Sequence, residues 1–546
     1  MGPFTALGAD DLFGGERWMK GSARPDADEQ PSQKNTPAPC TLLPTQHPLD
    51  SIGLQIIQYA TLSTPDLRLV KQRLNLVKHI SDIIQGSKIG RREYRQQPYT
   101  LEVFGSISFG LDSPDSDLDI CILDPERPQG LLEGEEGSLK SLPKVYAVKK
   151  LAQVFYQAQF RDIKPIPLAK TPIVKLRSPT GRFSIDLNCN NRLGCRNSAL
   201  LRAYHDLSPL VFRALGMAVK QWAKARGFCD PSGRNGPISA SSYTLILLLI
   251  AYLQAINHLP NLQDPEYIQH LCGHPCPDLI RIIKTPVQPA KPLKPPAPRP
   301  SPSLQAINTS FVPAPPAPFH WTQAHSADRI GDPAGLNRLV AQLLLGFFAF
   351  YDAFDFRSYI VSIRDGRPLR RPSGPPSADE PGMAGLLAGL KADLCAKARY
   401  PSQPSEDEDE DEITYVPFVR REGVAEHVQR LHDAQALRQP PRPSVPPARR
   451  PDTAEDDSLS GSTRVDGGCW PRRAPGPLSE PSPGRDRAPT HLHWPHPLVV
   501  VDPFLHERNT AGNIKPAVLD LIRTEFARAR RLLEAGGSLD ALFGLS

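Results

Sequence analysis

The 546-residue chain has no apolar run long enough to cross a bilayer. Its longest, Tyr243–Tyr252 with Leu245 to Ile250 at its heart, reads as a buried helix instead. The N-terminus lacks a basic stretch followed by an apolar core, so no secretory leader is expected. Asp10, Asp11 and Glu16 argue against a mitochondrial presequence. The nine cysteines form no CxxC pair and no even framework, which excludes a disulfide scaffold and points to reduced thiols. Cys272, His274 and Cys276, with His258 nearby, fit no standard zinc spacing. A strong charge of either sign is missing too. The net charge of +6 permits a polyanionic partner without requiring one.

Proline is in excess, with 61 residues, about twice the usual share. It is concentrated in a few stretches, so folded and unfolded composition alternate along the chain. Residues 1–45 have no periodicity and are expected to be disordered. The same holds for residues 285–318 and 366–495, the latter with the acidic block Glu406–Glu412. A long loop inserted into a folded unit costs little, because closure entropy grows only logarithmically with length.

The stretch around which the rest is organised is 99–124, YTLEVFGSISFGLDSPDSDLDICILD. A strand carrying Leu101 and Val103 runs into Gly105 and Ser106. A polar excursion through Asp112, Ser113, Pro114 and Asp115 turns the chain around. A second strand carries Asp117, Leu118 and Asp119 into Ile120, Cys121 and Ile122. Side chains alternate faces along a strand, so Asp117 and Asp119 point the same way. Two neighbouring carboxylates repel unless a cation sits between them, and hard oxygen donors suit Mg²⁺. Gly105 and Ser106 offer a backbone that phosphates can approach closely, and a hydroxyl donor. A DxD pair by itself describes a solvated hairpin as well as it does a metal site. The flanking apolar residues and the preceding Gly-Ser favour the site.

From Thr64-Pro65 a helix is expected, with Leu67, Val70, Leu74, Val77, Ile80 and Ile84 on one face. Residues 142–158 read as a helix. Residues 172–177 and 182–189 read as antiparallel strands about the turn Ser178–Gly181, and the second carries Asp186 between Ile185 and Leu187. Such an aspartate is either an edge device or a third ligand. Helices follow over 197–205, 208–228 and from Ser239. Lys220 and Lys224 are spaced to share one helix face, either as a solvated stripe or as a clamp on phosphates. Leu336–Ile363 reads as an aromatic-rich helix followed by a strand, Leu498–Phe504 as a compact apolar stretch, and 515–534 as a final helix.

Together FGSISFGLDSPDSDLDICI and SIDLNCNN resemble the DNA polymerase β nucleotidyltransferase superfamily. PIVKL, NNRLGCRNS, AVKQWAKARG with SASSY, LLLGFFAFYDAFDF and VVDPFLHERNTAG narrow the resemblance to cytoplasmic-type poly(A) polymerases and terminal uridylyltransferases. It covers roughly residues 50–265, 335–365 and 495–535. The resemblance implies an α/β (α+β) fold: a polymerase-β-like palm and a mainly helical poly(A)-polymerase-associated second domain, interrupted by disordered insertions. The expected parts are a disordered segment 1–45, a palm with N-terminal helices over 46–200, and a helical central part over 201–284. A proline-rich insertion over 285–330 follows, then the associated domain over 331–365 and 495–535, split by an insertion over 366–494, and a tail over 536–546.

The implied activity is template-independent addition of AMP to RNA 3′ ends. UTP is the alternative donor, and a catalytically silent RNA-binding scaffold is the reading from a different class. By resemblance, Asp117, Asp119 and Asp186 hold two Mg²⁺ (or Mn²⁺) ions. Gly105, Ser106, Lys220, Lys224 and Ser242 meet the triphosphate, Asn197 and Ser198 the ribose, and Tyr243 the base. Uridylyl-specific relatives have a histidine just before an asparagine after the DPF motif. Here Arg508 stands before Asn509, and His506 is displaced by two residues. This departure favours ATP and leaves UTP open. An arginine donates hydrogen bonds but accepts none. No RNA-recognition motif, KH loop or zinc finger is visible. RNA is therefore assigned to basic surface, with Arg91, Arg92, Lys149, Lys150, Lys175 and Arg177 as candidates, and an adaptor protein is the expected source of RNA choice. A monomer without membrane contact, in cytoplasm or nucleus, is expected.

Overall fold

The computed structural model describes residues 48–90, 97–135, 142–169, 171–234, 236–272, 278–284, 303–313, 333–371 and 494–545. Its centre is a five-stranded sheet. The strands are β1 (Thr100–Phe104), β2 (Leu118–Leu123), β3 (Arg161–Ile166), β4 (Ile173–Arg177) and β5 (Ser184–Cys189), in the order β1-β2-β5-β4-β3. β2 and β5 run parallel and the other neighbours antiparallel. One face is aliphatic. Leu118, Ile120, Ile122, Val174, Leu176, Ile185 and Leu187 pack under helix α2 (Leu67–Gly86) and helix α3 (Val148–Gln157) through Leu76, Ile80, Ile84, Leu151 and Phe155. The opposite face carries the polar residues that alternate with these.

Helix α2 starts later than the Thr64-Pro65 signal. Asp66 is the cap, its carboxylate accepting the Leu69 N–H at 2.6 Å. The Thr64 hydroxyl instead donates back to Ala60 O, at the end of helix α1 (Pro48–Leu62). The buried stripe of α2 is Leu69, Val70, Arg73, Leu76, Ile80 and Ile84, so the apolar face lies partly beside the one the spacing suggests.

A second core is helical. It joins α1 to α4 (Arg192–Leu207), α5 (Pro209–Ala225), α6 (Ser242–Ala255), the long helix Pro333–Asp352 and the late helix Pro516–Glu534. Its middle is aromatic: Trp222 lies 5.0 Å from Phe348 and 5.3 Å from Phe526 between ring centres. The apolar run in α6 is buried throughout from Thr244 to Ala255, as its composition predicts.

Order extends further than composition suggests. Ser303–Asn308, inside the stretch read as a proline-rich insertion, forms a hairpin with Leu279–Lys284. Leu369–Arg370, inside the second such stretch, pairs with Tyr359–Ile360. Backbone pairing across distant residues supplies what local composition lacks. Residues 1–45, Glu406–Glu412, and His274 and Cys276 of the rejected zinc cluster lie outside the described residues. Among the described residues no helix is long and apolar enough to cross a membrane.

Candidate active site

The parallel pairing of β2 with β5 brings the carboxylates together. Asp119 lies directly beside Asp186 in register, on the polar face of the sheet. Asp117 stands one residue before β2 begins. Burial first, then the charges of Asp186 and Asp117, push the Asp119 carboxyl up to about 7, with Lys175 pulling the other way. Lys175, in register with Asp186 on β4, holds the Asp186 carboxylate with its ammonium group. This lysine, read from the sequence as RNA-facing surface, is therefore also a partner of the third carboxylate. Among the described residues no three Asp, Glu, His or Cys side chains are drawn together tightly enough to hold a metal ion as they stand. The donor types nonetheless suit a hard cation: Asp119 and Asp186 are register neighbours with Asp117 within electrostatic reach, and burial first, then these like charges, holds Asp119 partly protonated near neutrality.

Gly105 lies against the Asp119 carboxylate. Its φ is +74°, and a Cβ there would lie 2.2 Å from Asp119 Oδ2, so both conformation and space demand glycine. The Gly105 N–H donates to Ser198 Oγ at 2.8 Å, and that hydroxyl donates to Gly194 O at 3.0 Å. Ser198 thus ties α4 to the turn at 105–107. Asn197 beside it is buried, and its Oδ1 has no hydrogen-bond partner. An acceptor left bare in a buried setting costs about 1–3 kcal/mol, which a ligand hydroxyl would offset.

Residues 110–114 are clamped by cations that the sequence reading did not single out. Arg73 bonds Asp112 at 2.7 Å and the carbonyls of Ser113 and Pro114. Arg213 donates to the carbonyls of Gly110 and Asp112. The available signal was an arginine inside the apolar run VFRALGMAV of α5. Lys220 and Lys224 share that helix but not one environment. Lys224 is exposed. Lys220 is buried, donates to Leu111 O, and is pushed down to about 8, chiefly by burial and then by Lys224.

Toward the base end, Ser242 Oγ lies 3.3 Å from Cys229 Sγ. The Tyr243 hydroxyl is buried without a hydrogen bond, within the electrostatic reach of Asp502 and Arg508. Arg508 Nη1 pairs with Asp502 at 3.5 Å. The Asn509 side chain is spent on backbone, accepting from the Val500 and Ala511 N–H groups and donating to Leu498 O. It therefore shapes the 498–511 turn. His506 contacts Arg364. Burial and that arginine lower it to about 4, so it is neutral near pH 7. Lys149, Lys150 and Arg177 are exposed, while Arg91 and Arg92 lie outside the described residues.

Comparison with known proteins follows the same parts. Residues 52–206 match the family description "Poly(A) RNA polymerase, mitochondrial-like, central palm domain", and residues 340–381 match "Cid1 family poly A polymerase". The family resemblance carried by the motifs is thereby borne out. The chain is similar to Poly(A) RNA polymerase cid11 of Schizosaccharomyces pombe, 33% identical over 165 residues, 30% of each chain. It is similar to Poly(A) RNA polymerase GLD2-A of Xenopus laevis, 30% identical over 276 residues, 50% of this chain and 43% of that one. Human Poly(A) RNA polymerase GLD2 is 28% identical over 278 residues, 50% and 47% of the two chains. The chain thus spans less than half the length of these curated relatives. A solved structure of a cytoplasmic RNA terminal U-transferase superposes with a TM-score of 0.47 at 17% identity, covering 90% of this chain and 98% of that one.

Proposed function

We propose that the chain is a template-independent nucleotidyltransferase that adds AMP from ATP to RNA 3′ ends. The observation that carries this reading is the register match of Asp119 with Asp186, with Asp117 in the same field. The names of the relatives, poly(A) RNA polymerases, support the reaction class and the choice of ATP.

In this reading Asp117, Asp119 and Asp186 hold two Mg²⁺ or Mn²⁺ ions. When bound, such ions polarise the α-phosphate, lower the pKa of the attacking hydroxyl and neutralise the departing pyrophosphate. The RNA 3′-oxygen forms a bond to the α-phosphorus as the bond to pyrophosphate breaks. Little covalent work is left to side chains, so positioning and charge dominate. Gly105 and Ser106 let the triphosphate approach the backbone, while Lys220 and Lys224 supply point charges to its outer phosphates. Asn197 offers its bare Oδ1 to a ribose hydroxyl, which selects ribonucleotides. Tyr243 stacks on the base, with Ser242 on the phosphates. Arg508, anchored by Asp502, reads the base edge. Its donors also suit a uracil carbonyl, which keeps UTP as the second donor to test. RNA is held by exposed basic surface, and an adaptor protein chooses among RNAs. The expected state is a monomer in cytoplasm or nucleus.

The test incubates the chain with labelled RNA, divalent metal and each single nucleotide. ATP is expected to give the longest extension. Asp119→Ala is expected to abolish it while leaving the circular dichroism spectrum unchanged. Extension by that variant would falsify the carboxylate assignment. Extension with UTP in preference to ATP overturns the base assignment alone. RNA binding by the wild type without extension by any nucleotide replaces the enzyme reading with the scaffold reading.

A further inference from the structure

Next to the carboxylates, the same sheet face changes sign. Asp119 pairs with Asp186, Asp186 with Lys175, and Lys175 with Lys164, each in direct register across β2, β5, β4 and β3. Directly opposed residues on neighbouring strands share a face. Two residues along, Arg177 of β4 lies opposite Arg161 of β3. Lys164, Arg161 and Arg177 are exposed, and Lys175 is half-buried against Asp186. Arg177 reaches Asp162 at 3.4 Å, but both side chains are more than half exposed, and such pairs are weak and easily exchanged.

A lysine, a proline and a bulge on β3 would serve to block edge-to-edge pairing, and β3 is an edge strand with all three. That purpose does not account for Lys175 and Arg177, because β4 lies inside the sheet between β5 and β3. Four cations from two strands converge on one face. They begin beside the third carboxylate and run outward over two strand spacings, about 10 Å. Single-stranded RNA is the polyanion that must bring its 3′-hydroxyl to that carboxylate.

We infer that the β3–β4 face, through Lys164, Lys175, Arg161 and Arg177, is the track for the phosphates preceding the RNA 3′ end, leading the strand across the sheet to Asp186. The inference rests on the proposed function and assigns it an RNA path. The contacts are to phosphate, so the track is indifferent to sequence and sensitive to salt.

The experiment measures binding of a labelled RNA of about 15 nucleotides to the full chain by fluorescence anisotropy, without nucleotide or divalent metal, from about 50 to 200 mM salt. Lys164→Ala and Arg161→Ala are expected to weaken binding about 3–10-fold each and to lower the log–log salt slope by about 0.7 apiece. In extension assays both raise KM for RNA and leave KM for ATP unchanged, while Lys515→Ala, just before the late helix, changes neither. If both track variants fold and bind RNA with unchanged affinity and slope, while the wild type still extends RNA, the track is overturned and the proposed function stands. If the wild type neither binds nor extends RNA, both are overturned.

Discussion

The sheet core and the helical core are closed by different means, and the candidate site lies at the seam between them. Under the sheet, interdigitating aliphatic side chains from β2, β4 and β5 meet α2 and α3. Among the helices, rings meet rings: Trp222, Phe347, Phe348, Tyr351 and Phe526 form one cluster. The seam, residues 105–117, lends Ile107 to the sheet core and Phe109 and Leu111 to the helical core, but its backbone is fixed by polar bonds. It is held by Ser198 on Gly105, Arg213 on Gly110 and Asp112, Lys220 on Leu111, and Arg73 on residues 112–114. Apolar burial is non-directional and builds the two platforms. Hydrogen bonds from cations to particular carbonyls are directional, and they set where the chain stands between β1 and β2. Changes in the cores should therefore act on stability, and changes at the seam on reaction.

The largest separation is expected at the carboxylates. Asp186→Ala should lower extension by about 10³-fold or more. Asp119→Ala should do the same without lowering Tm, since it removes a buried carboxyl already crowded by like charge. Primer extension and thermal melting on the same preparation measure both, and a fall in Tm comparable to a core variant would break the comparison. Next is the helical core. Trp222→Ala should cost about 3–5 kcal/mol in denaturant unfolding, with unchanged KM for ATP in the folded fraction. A selective loss of ATP affinity would show that the core reaches into the site.

The seam itself comes third. Arg213→Met removes bonds to the carbonyls of Gly110, Asp112 and Ser63 and to the Thr64 hydroxyl. A stability loss of about 1–3 kcal/mol is expected. Its kcat should fall by about 10²-fold, since small displacements of reacting groups have that effect. Equal losses of stability in Arg213→Met and Trp222→Ala, with kcat intact in both, would erase the distinction.

The smallest effect is a pH dependence at Lys220. Burial holds it at about 8 instead of 10.5, so the native state binds fewer protons than the unfolded chain between those values. Stability should therefore rise with pH across that window. ATP binding should weaken over the same range as the ammonium is lost, with KM for ATP climbing above pH 8. Lys220→Gln should flatten both trends. A KM profile that keeps its upper limb in that variant assigns the titration elsewhere.

Much of this was legible along the chain. Alternation predicted one face for Asp117 and Asp119, of which Asp119 lies in β2 and Asp117 one residue ahead of it, and the separate strand at 184–189 carries Asp186. What the alternation leaves open is adjacency: β2 and β5 are separated by β3 and β4 in sequence and meet because the sheet order inserts β5 between β2 and β4. The lysine pair of α5 illustrates a second gap. Helical spacing puts Lys220 and Lys224 on one side, yet the packing of residues 109–112 buries one and leaves the other in solvent. Asn509 looks like a ligand contact by motif and acts as a turn staple, because its amide reaches three backbone groups once 498–511 is folded. Composition missed the hairpin of Leu279–Lys284 with Ser303–Asn308, whose stability comes from pairing across a gap that local patterns do not see.

By itself the sequence determined the elements and their faces: periodicity is a local property, written residue by residue as apolar side chains recur at two or at about three and a half. It also determined the chemistry on offer, three carboxylates, a glycine turn and two lysines. Only the tertiary structure decided which of those groups became neighbours, which were buried, and which were spent on backbone. Those outcomes depend on contacts between residues far apart in the chain. The shift of Asp119 to about 7 and of Lys220 to about 8 exists only where burial and neighbouring charges act together in space.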